Sequence, residues 1–89
     1  MRSIKTTRAF ERDVKKAGKR GRDLQKLWGV VDRLSRGEPL SARQRPHRLS
    51  GEWNRFWECH IELDWLLIWD ESETAVILVR TGSHADLFG

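Results

Sequence analysis

The sequence has a single cysteine, Cys59, so it can form no disulfide within the chain. One thiol also argues against a zinc site built from cysteines, and we expect a protein of the reducing cytoplasm. Long apolar runs are absent too, because the longest, from Trp65 to Trp69, falls far short of the roughly 20 residues that span a bilayer. The N-terminus lacks the apolar region of a signal peptide, so we expect no export by that route and no membrane partner.

Acidic residues are scarce in the first half of the chain. Residues 1–48 contain fifteen Lys or Arg and five Asp or Glu, whereas residues 49–89 contain two and eight. A basic half of this kind suits a polyanion such as RNA, because binding to phosphates releases counterions. The alternative is that these side chains are merely solvated on helix faces. The chain of 89 residues has room for one domain, residues 1–89, whose core can draw on five tryptophans.

Hydrophobic periodicity predicts an α+β fold in which helices precede a sheet. Apolar residues recur with helical spacing over residues 7–19 and 22–36, which predicts a helical hairpin. Later stretches have the period of strands and are joined by short polar turns, which predicts an antiparallel meander packed against the hairpin. The predicted strands cover residues 54–61, 64–70 and 74–80, with a short additional one over residues 2–6.

The three histidines of the chain all lie at predicted strand ends. His47 precedes the first strand of the meander, His60 ends it, and His84 follows the last strand, while Asp64 opens the middle one. Imidazole titrates near neutrality and can donate or accept a proton, so this set indicates acid–base catalysis. RNA is a suitable substrate, since its 2′-OH attacks the adjacent phosphate when one group removes that proton and another protonates the departing 5′-oxygen. Such a reaction requires no cofactor and no metal.

Two other interpretations of these residues stay open. A histidine in a strand is often only a hydrogen-bonded structural group. His60, Asp64 and His84 could instead bind zinc or manganese, although no HxH or HExxH spacing favours a metal site.

Aromatic and basic residues around this set are candidates for substrate binding. Trp65 and Phe88 could stack on unpaired bases, an interaction worth about 1–3 kcal/mol per base, or could belong to the core. Three candidate phosphate contacts lie in or beside a basic loop after the second helix: Arg43, Arg45 and Arg48. At the chain end, we expect Leu87 to anchor the segment and Phe88 to pack beside the scissile nucleotide, which would hold His84 in reach of the RNA.

Three segments, HRLSGEW from His47, CHIELDWLLI from Cys59 and RTGSHADLFG from Arg80, resemble the YafQ branch of the RelE toxins. These are ribosome-associated mRNA interferases of type II toxin–antitoxin systems. The resemblance implies a RelE-like fold and cleavage of mRNA in the ribosomal A site. It also implies neutralisation by a cognate antitoxin with a DNA-binding domain, of the ribbon-helix-helix type or similar.

The resemblance carries the family's functional positions onto this chain. They fall on His47, His60, Asp64, Trp65, His84 and Phe88, with Arg80 as a phosphate contact. The sequence departs from the family pattern at Trp57, where a basic residue is usual, at Leu63, where proline is usual, and at Trp69, where tyrosine is usual. A second hypothesis is a non-catalytic module of the same fold that blocks a ribosomal site or assists an antitoxin in operator binding.

Overall fold

A computed structural model describes all 89 residues, which form three α-helices and five strands. The elements in chain order are β1 (Ser3–Thr6), α1 (Arg8–Lys19), α2 (Leu24–Arg36), β2 (His47–Arg48), β3 (Trp57–Glu62), β4 (Trp65–Glu71), β5 (Ala75–Gly82) and α3 (His84–Phe88). Short 3-10 turns at Ala42–Gln44 and Gly51–Trp53 flank β2. No helix combines the length and the hydrophobicity that crossing a membrane requires.

The strands form one sheet in the order β1-β5-β4-β3-β2. The predicted meander of β3, β4 and β5 is confirmed, and β2 extends it by antiparallel pairing with β3. The sheet is mixed rather than purely antiparallel, because β1 pairs with β5 in parallel. Parallel neighbours need a long crossover, and the helices lie in the connection that follows β1. The α+β fold is therefore as predicted, with this one difference in the sheet.

Capping residues set the limits of the helical hairpin. The Thr7 hydroxyl accepts a hydrogen bond from the backbone N–H of Phe10 at 3.0 Å, so α1 begins directly after Thr7 as predicted. Asp23 caps α2 in the same way, so α2 begins two residues later than the predicted 22. Gly37 ends α2 with φ of 70°, a left-handed conformation that favours glycine.

The first strand of the meander also begins later than predicted, at Trp57 rather than at residue 54. The preceding residues fold into the Gly51–Trp53 turn, in which Asn54 donates to the Gly51 carbonyl and Phe56 donates to the Trp53 carbonyl. Backbone groups that bond locally in this way cannot pair with β4. The strand therefore starts only where the local bonds end.

The hydrophobic core lies between the helical hairpin and one face of the sheet. It contains Phe10, Ala17, Leu27, Val30, Val31, Leu34, Cys59, Trp65, Leu67, Trp69, Val76 and Leu78. Burial, and next the charge of Glu58, raise the pKa of the Cys59 thiol to about 12. This cysteine is therefore an inert core residue and not a candidate nucleophile.

The opposite face of the sheet carries polar residues of β3 beside buried apolar residues of β4. Glu58 pairs with Ile68 and His60 pairs with Leu66 across the two strands. Residues directly opposite each other in an antiparallel pair point to the same side of the sheet. This face therefore presents Glu58 and His60 away from the helices, as the alternation of β3 predicts.

Candidate active site

Asp64 and His84 form a direct pair at one end of the sheet. Asp64 lies in the turn between β3 and β4, and His84 is the first residue of α3. The Oδ1 atom of Asp64 accepts hydrogen bonds from the backbone N–H of His84 at 3.0 Å and from its Nδ1 at 2.8 Å. The backbone N–H of His84, and next its ring, hold the pKa of Asp64 below the usual value. With Nδ1 donating to the carboxylate, Nε2 of His84 is left to act on a substrate.

The position of His84 depends on the cap of α3, a helix that the sequence analysis did not predict. The Ser83 hydroxyl accepts from the backbone N–H of Asp86, and the Asp86 carboxylate accepts from the backbone N–H of Ser83. Arg20 at 2.9 Å and Lys16 at 3.4 Å, both from the hairpin, hold the same carboxylate. The Ser83 backbone N–H chiefly, and the Ser83, Arg20 and Lys16 side chains, hold the pKa of Asp86 far below its usual value. The capped end of α3 is thereby fixed to α1.

His60 lies beside the Asp64–His84 pair. The ring centroids of His60 and His84 are 5.9 Å apart, with an edge-on arrangement of 60°. Both rings line an open cleft of about 600 Å³, whose other lining residues are Arg45, Pro46, His47 and Glu58. The structure thus brings together the three histidines that the sequence placed at three separate strand ends.

His47 is held at both ring nitrogens. Its Nδ1 lies 2.8 Å from the carbonyl oxygen of Arg45, and its Nε2 lies 3.3 Å from Oε1 of Glu58. Glu58 is 5% exposed and was not among the predicted site residues. Strand alternation contained the signal for it, because Glu58 shares its side of β3 with His60. The same register places it opposite His47 of β2.

None of the three predicted arginines has a carboxylate partner, and two of them lie at this cleft or beside it. Arg45 lines the cleft, and both Arg43 and Arg45 line a neighbouring cavity of about 400 Å³ that also contacts His60. Arg48 lies over the ring of Trp57, 5.4 Å from its centroid. The guanidinium of Arg48 therefore places a positive charge beside Trp57, the position at which the family usually has a basic residue. Arg43 and Arg45 thus lie at the cleft and its neighbouring cavity, whereas Arg48, paired with Trp57, lies on the other side of the sheet. Phosphate contact by these side chains stays a prediction.

Two departures from the family pattern pack against each other. Trp57 and Trp69 are directly paired across β3 and β4, and their rings stack with centroids 6.3 Å apart and an interplanar angle of 16°. Each tryptophan ring provides a packing surface for the other, so the two departures from the family pattern are explained together. Neither ring lines the histidine cleft.

The prediction that Trp65 stacks on RNA bases is wrong for this structure, because its side chain is fully buried. Its Nε1 donates to the Thr81 hydroxyl at 2.9 Å, and Thr81 in turn donates to the Leu66 carbonyl. The Arg22 guanidinium lies over the indole at 5.2 Å and also donates to the Asp64 carbonyl. Trp65 therefore packs in the core beneath the turn that carries Asp64, and its ring is not accessible to an RNA base.

Arg80 is also placed differently from its prediction as a phosphate contact. Its Nε and Nη2 donate to the carboxylate of Asp13 on α1 at 2.6 and 3.1 Å, and the backbone N–H of Thr81 donates to the same group. The hydrogen bond to Asp13 raises the pKa of Arg80. Arg80 does not line the histidine cleft. Because its guanidinium group is already paired with Asp13, Arg80 joins β5 to α1 in this structure.

Several basic residues of the hairpin are likewise paired within the protein. Lys26 contacts Glu62 at 3.1 Å, while Lys16, Arg20 and Arg22 contact α3 or the Asp64 turn. These side chains are therefore not simply solvated. They attach the helical layer to the elements that carry Asp64 and His84.

Phe88 is an exposed aromatic residue on the same short helix as His84. It lies four residues after His84, which places both on the same side of α3. Its ring is 48% exposed and contacts Trp53 edge-on at 6.1 Å, and Trp53 in turn contacts Phe56 at 5.7 Å. The sequence analysis did not single out Trp53 as a site residue. Leu87 is half-buried, in keeping with its predicted anchoring role.

The residues of the metal hypothesis are not arranged as a ligand set. Asp64 and His84 bond directly to each other, and no group of three or more His, Cys, Asp or Glu side chains is placed to hold an ion.

Comparison with known proteins identifies close relatives over the whole chain. The model of the family described as "Bacterial toxin of type II toxin-antitoxin system, YafQ" matches residues 2–89. The mRNA interferase toxin YafQ of Escherichia coli K12 is 37% identical over 89 residues, covering 99% of this chain and 97% of that protein. The toxin in the E. coli DinJ–YafQ toxin–antitoxin complex superposes with a TM-score of 0.92 at 37% identity, covering 99% and 98% of the two chains. A metal-bound toxin from Helicobacter pylori superposes with a TM-score of 0.92 at 39% identity, covering 99% and 100%.

Proposed function

Because the chain belongs to the YafQ family of toxins from type II toxin–antitoxin systems, we propose that it is an mRNA interferase that cleaves mRNA on the ribosome without a metal ion. The observation that carries this proposal is the Asp64–His84 pair facing His60 in an open cleft. Two imidazoles on one side of a cleft can divide between them the two proton transfers that cleavage requires.

The arrangement supports one assignment of the two transfers. The carboxylate of Asp64 stabilises positive charge on the ring of His84, which is the form that a general acid needs. His60 has no carboxylate partner and lies beside His84, so it is the imidazole left to accept a proton. His60 removes the proton of the 2′-OH, the 2′-oxygen bonds to phosphorus, and the bond from phosphorus to the 5′-oxygen breaks as His84 protonates that oxygen. The products are a 2′,3′-cyclic phosphate and a 5′-OH.

Cations and aromatic rings around the cleft support binding of the RNA. Arg43 and Arg45 lie within the lining of the two cavities and have no acidic partners, so they are available to the phosphates on either side of the scissile bond. The exposed rings of Trp53 and Phe88 offer stacking surfaces for unpaired bases. Messenger RNA exposed in the ribosomal A site provides such single-stranded bases.

A cognate antitoxin is the second partner. Structures of the DinJ–YafQ complex contain a relative of this chain with its antitoxin. The excess of basic residues in the first half of the chain suits an acidic segment of such an antitoxin. We propose that the protein acts in the cytoplasm, where ribosomes and operators are found.

The test of the proposed function is cleavage of mRNA on programmed ribosomes, mapped by primer extension. We expect new 5′ ends with the natural mRNA and none when the ribose 5′ of the scissile phosphate is 2′-deoxyribose, because the nucleophile is then missing. Cleavage should persist after exposure to EDTA that leaves the ribosomes intact.

Each contrary result has a distinct meaning. Cutting of the deoxy substrate at a similar rate would identify water as the nucleophile and overturn the assignment. Activity that returned only with one divalent ion would favour the metal hypothesis. Binding to ribosomes without new 5′ ends would establish the non-catalytic alternative.

Replacing the exposed ring of Phe88 should weaken cleavage without unfolding the protein. Loss of one base–aromatic stack of about 1–3 kcal/mol predicts that Phe88→Ala lowers single-turnover cleavage by about 10- to 100-fold. His84 should keep its place, because Asp64 and the Ser83–Asp86 cap hold it independently. Trp28→Ala is the matched control, since Trp28 is similarly exposed but lies on α2. Equal rates for the two variants would remove Phe88 from the site.

A further inference from the structure

Two successive backbone N–H groups at the start of α3 are bonded to two different carboxylates. The N–H of Ser83 donates to Oδ2 of Asp86 at 3.0 Å, and the N–H of His84 donates to Oδ1 of Asp64 at 3.0 Å. The first bond fixes the backbone just before His84, and the second joins His84 to the other member of the pair. The position of the imidazole therefore depends on where the Asp86 carboxylate lies.

The Asp86 side chain lies closely against the end of β5. A Cβ atom added to Gly82 would approach Cβ of Asp86 to 3.0 Å and its Oδ2 to 3.1 Å, so the absence of a side chain at Gly82 makes room for Asp86. The Asp86 side chain is only 18% exposed. A displacement of this carboxylate would move the Ser83 N–H that is bonded to it.

Cations at the C-terminal end of α1 hold both oxygens of this carboxylate. Nη1 of Arg20 lies 2.9 Å from Oδ2 of Asp86, and Nζ of Lys16 lies 3.4 Å from Oδ1. Asp64 is held separately, because Arg22 donates to its backbone carbonyl. Loss of the contacts to Asp86 would therefore displace His84 relative to Asp64 and would not move the two together.

These ion pairs matter more for the position of α3 than for the stability of the fold. The side chains of Arg20 and Lys16 are 46% and 55% exposed, and ion pairs with exposed members contribute little to the free energy of unfolding. By contrast, a misplacement of about 1 Å at a catalytic group can lower the rate by about 100-fold. The same contacts can thus be important for cleavage and unimportant for folding.

We propose that Arg20 and Lys16 are positioning residues that act through Asp86 to hold His84 in reach of the RNA, and that they do not contact the RNA themselves. The excess of positive charge in the first half of the chain suits a polyanion, but at this end of α1 the positive charge is directed to a carboxylate of the protein. This role rests on the proposed ribonuclease function.

A double-mutant cycle of Arg20→Gln and Asp86→Ala tests this route. We expect the maximal single-turnover cleavage rate to fall by about 10-fold in Arg20→Gln, in which Lys16 remains, and by about 100-fold in Asp86→Ala, with ribosome affinity unchanged in both. The double variant should cleave at the rate of Asp86→Ala, because Arg20 then has no group left to act through. Lys19→Gln is the matched control, since it removes a neighbouring exposed cation that does not reach Asp86, and it should cleave at the wild-type rate.

A second variant separates the cap of α3 from its attachment to α1. The amide oxygen of Asp86→Asn can still accept from the Ser83 N–H, but the charge that attracts Arg20 is gone, so this variant should resemble Arg20→Gln. A double variant whose loss is the product of the two single losses would show that Arg20 acts by another route, such as a phosphate contact, and would overturn the proposal. Weaker ribosome binding by Arg20→Gln at an unchanged maximal rate would do the same.

Amide hydrogen exchange of the free protein separates this proposal from the proposed function. The bond to Asp64 protects the His84 N–H whether or not the protein cleaves RNA. We expect this N–H to exchange faster in Arg20→Gln and Asp86→Ala than in the wild type and Lys19→Gln, while the unfolding temperature of Arg20→Gln stays that of the wild type. Equal exchange in all four proteins would overturn the positioning role. Faster exchange in the two variants, together with a wild type that does not cleave mRNA, would contradict only the function.

Discussion

Replacing His84 by alanine should lower single-turnover cleavage of mRNA on the ribosome by about 1,000-fold, within the range that a general acid contributes. The loss should be chemical and not structural. The side chain is 57% exposed, and its contacts are those with Asp64 and the neighbouring ring of His60. The cap of α3 uses Ser83 and Asp86, so the helix does not depend on the imidazole. Circular dichroism and ribosome affinity should therefore match those of the wild type.

A modified substrate identifies the transfer that His84 performs. When sulfur replaces the 5′-bridging oxygen, the leaving group is a thiolate that departs without protonation. His84→Ala should cleave this RNA at nearly the wild-type rate, whereas His60→Ala should stay defective because the 2′-OH still has to lose its proton. Rescue of His60→Ala in place of His84→Ala would reverse the two roles. A loss below about 10-fold for His84→Ala on ordinary RNA would exclude it as the acid.

The sequence allowed most of the fold to be predicted because its signals are local. Helical spacing and the caps at Thr7 and Gly37 define the hairpin, and alternation defines β3, β4 and β5. Two elements were missed because they are too short to show periodicity: β2 has two residues and α3 has five. The Ser83–Asp86 spacing of a capping box was the available signal for α3.

The candidate site was predictable in part, for a different reason. His47, His60, Asp64 and His84 were identified by residue type and by resemblance, and the structure gathers them in one region. Interactions between residues far apart in the chain were not predictable. Arg80, for example, donates hydrogen bonds to the carboxylate of Asp13, which is 67 residues away in the sequence. Trp65 was misjudged because β4 is apolar on both faces, so periodicity cannot tell a buried indole from an exposed one.

Asp64→Asn should lower cleavage by about 100-fold while leaving the position of His84 nearly unchanged. The asparagine Oδ1 can still accept from the backbone N–H and the Nδ1–H of His84, so the geometry of the pair is retained. The negative charge that favours the protonated ring is lost, and in a catalytic triad the same replacement has a large effect on rate. Because Asp64 is exposed, we expect a smaller effect than in a buried triad. Asp64→Ala should be more defective, since it removes both hydrogen bonds.

The pH dependence supplies a second criterion for Asp64. Its pKa is lowered by the N–H and the ring of His84, so the carboxylate stays ionised as the pH falls through the usual carboxyl range and is protonated only below that range. The pair, and whatever stability it contributes, is therefore present above the ordinary carboxyl pKa and is lost only at still lower pH. Protonation of Asp64 should accordingly cause no fall in the wild-type cleavage rate within the usual carboxyl range of pH. In Asp64→Asn the ionisable group is absent, so any fall in rate that protonation of Asp64 causes at still lower pH should disappear. A fall in the wild-type rate within the usual carboxyl range that Asp64→Asn abolishes would contradict the lowered pKa of Asp64.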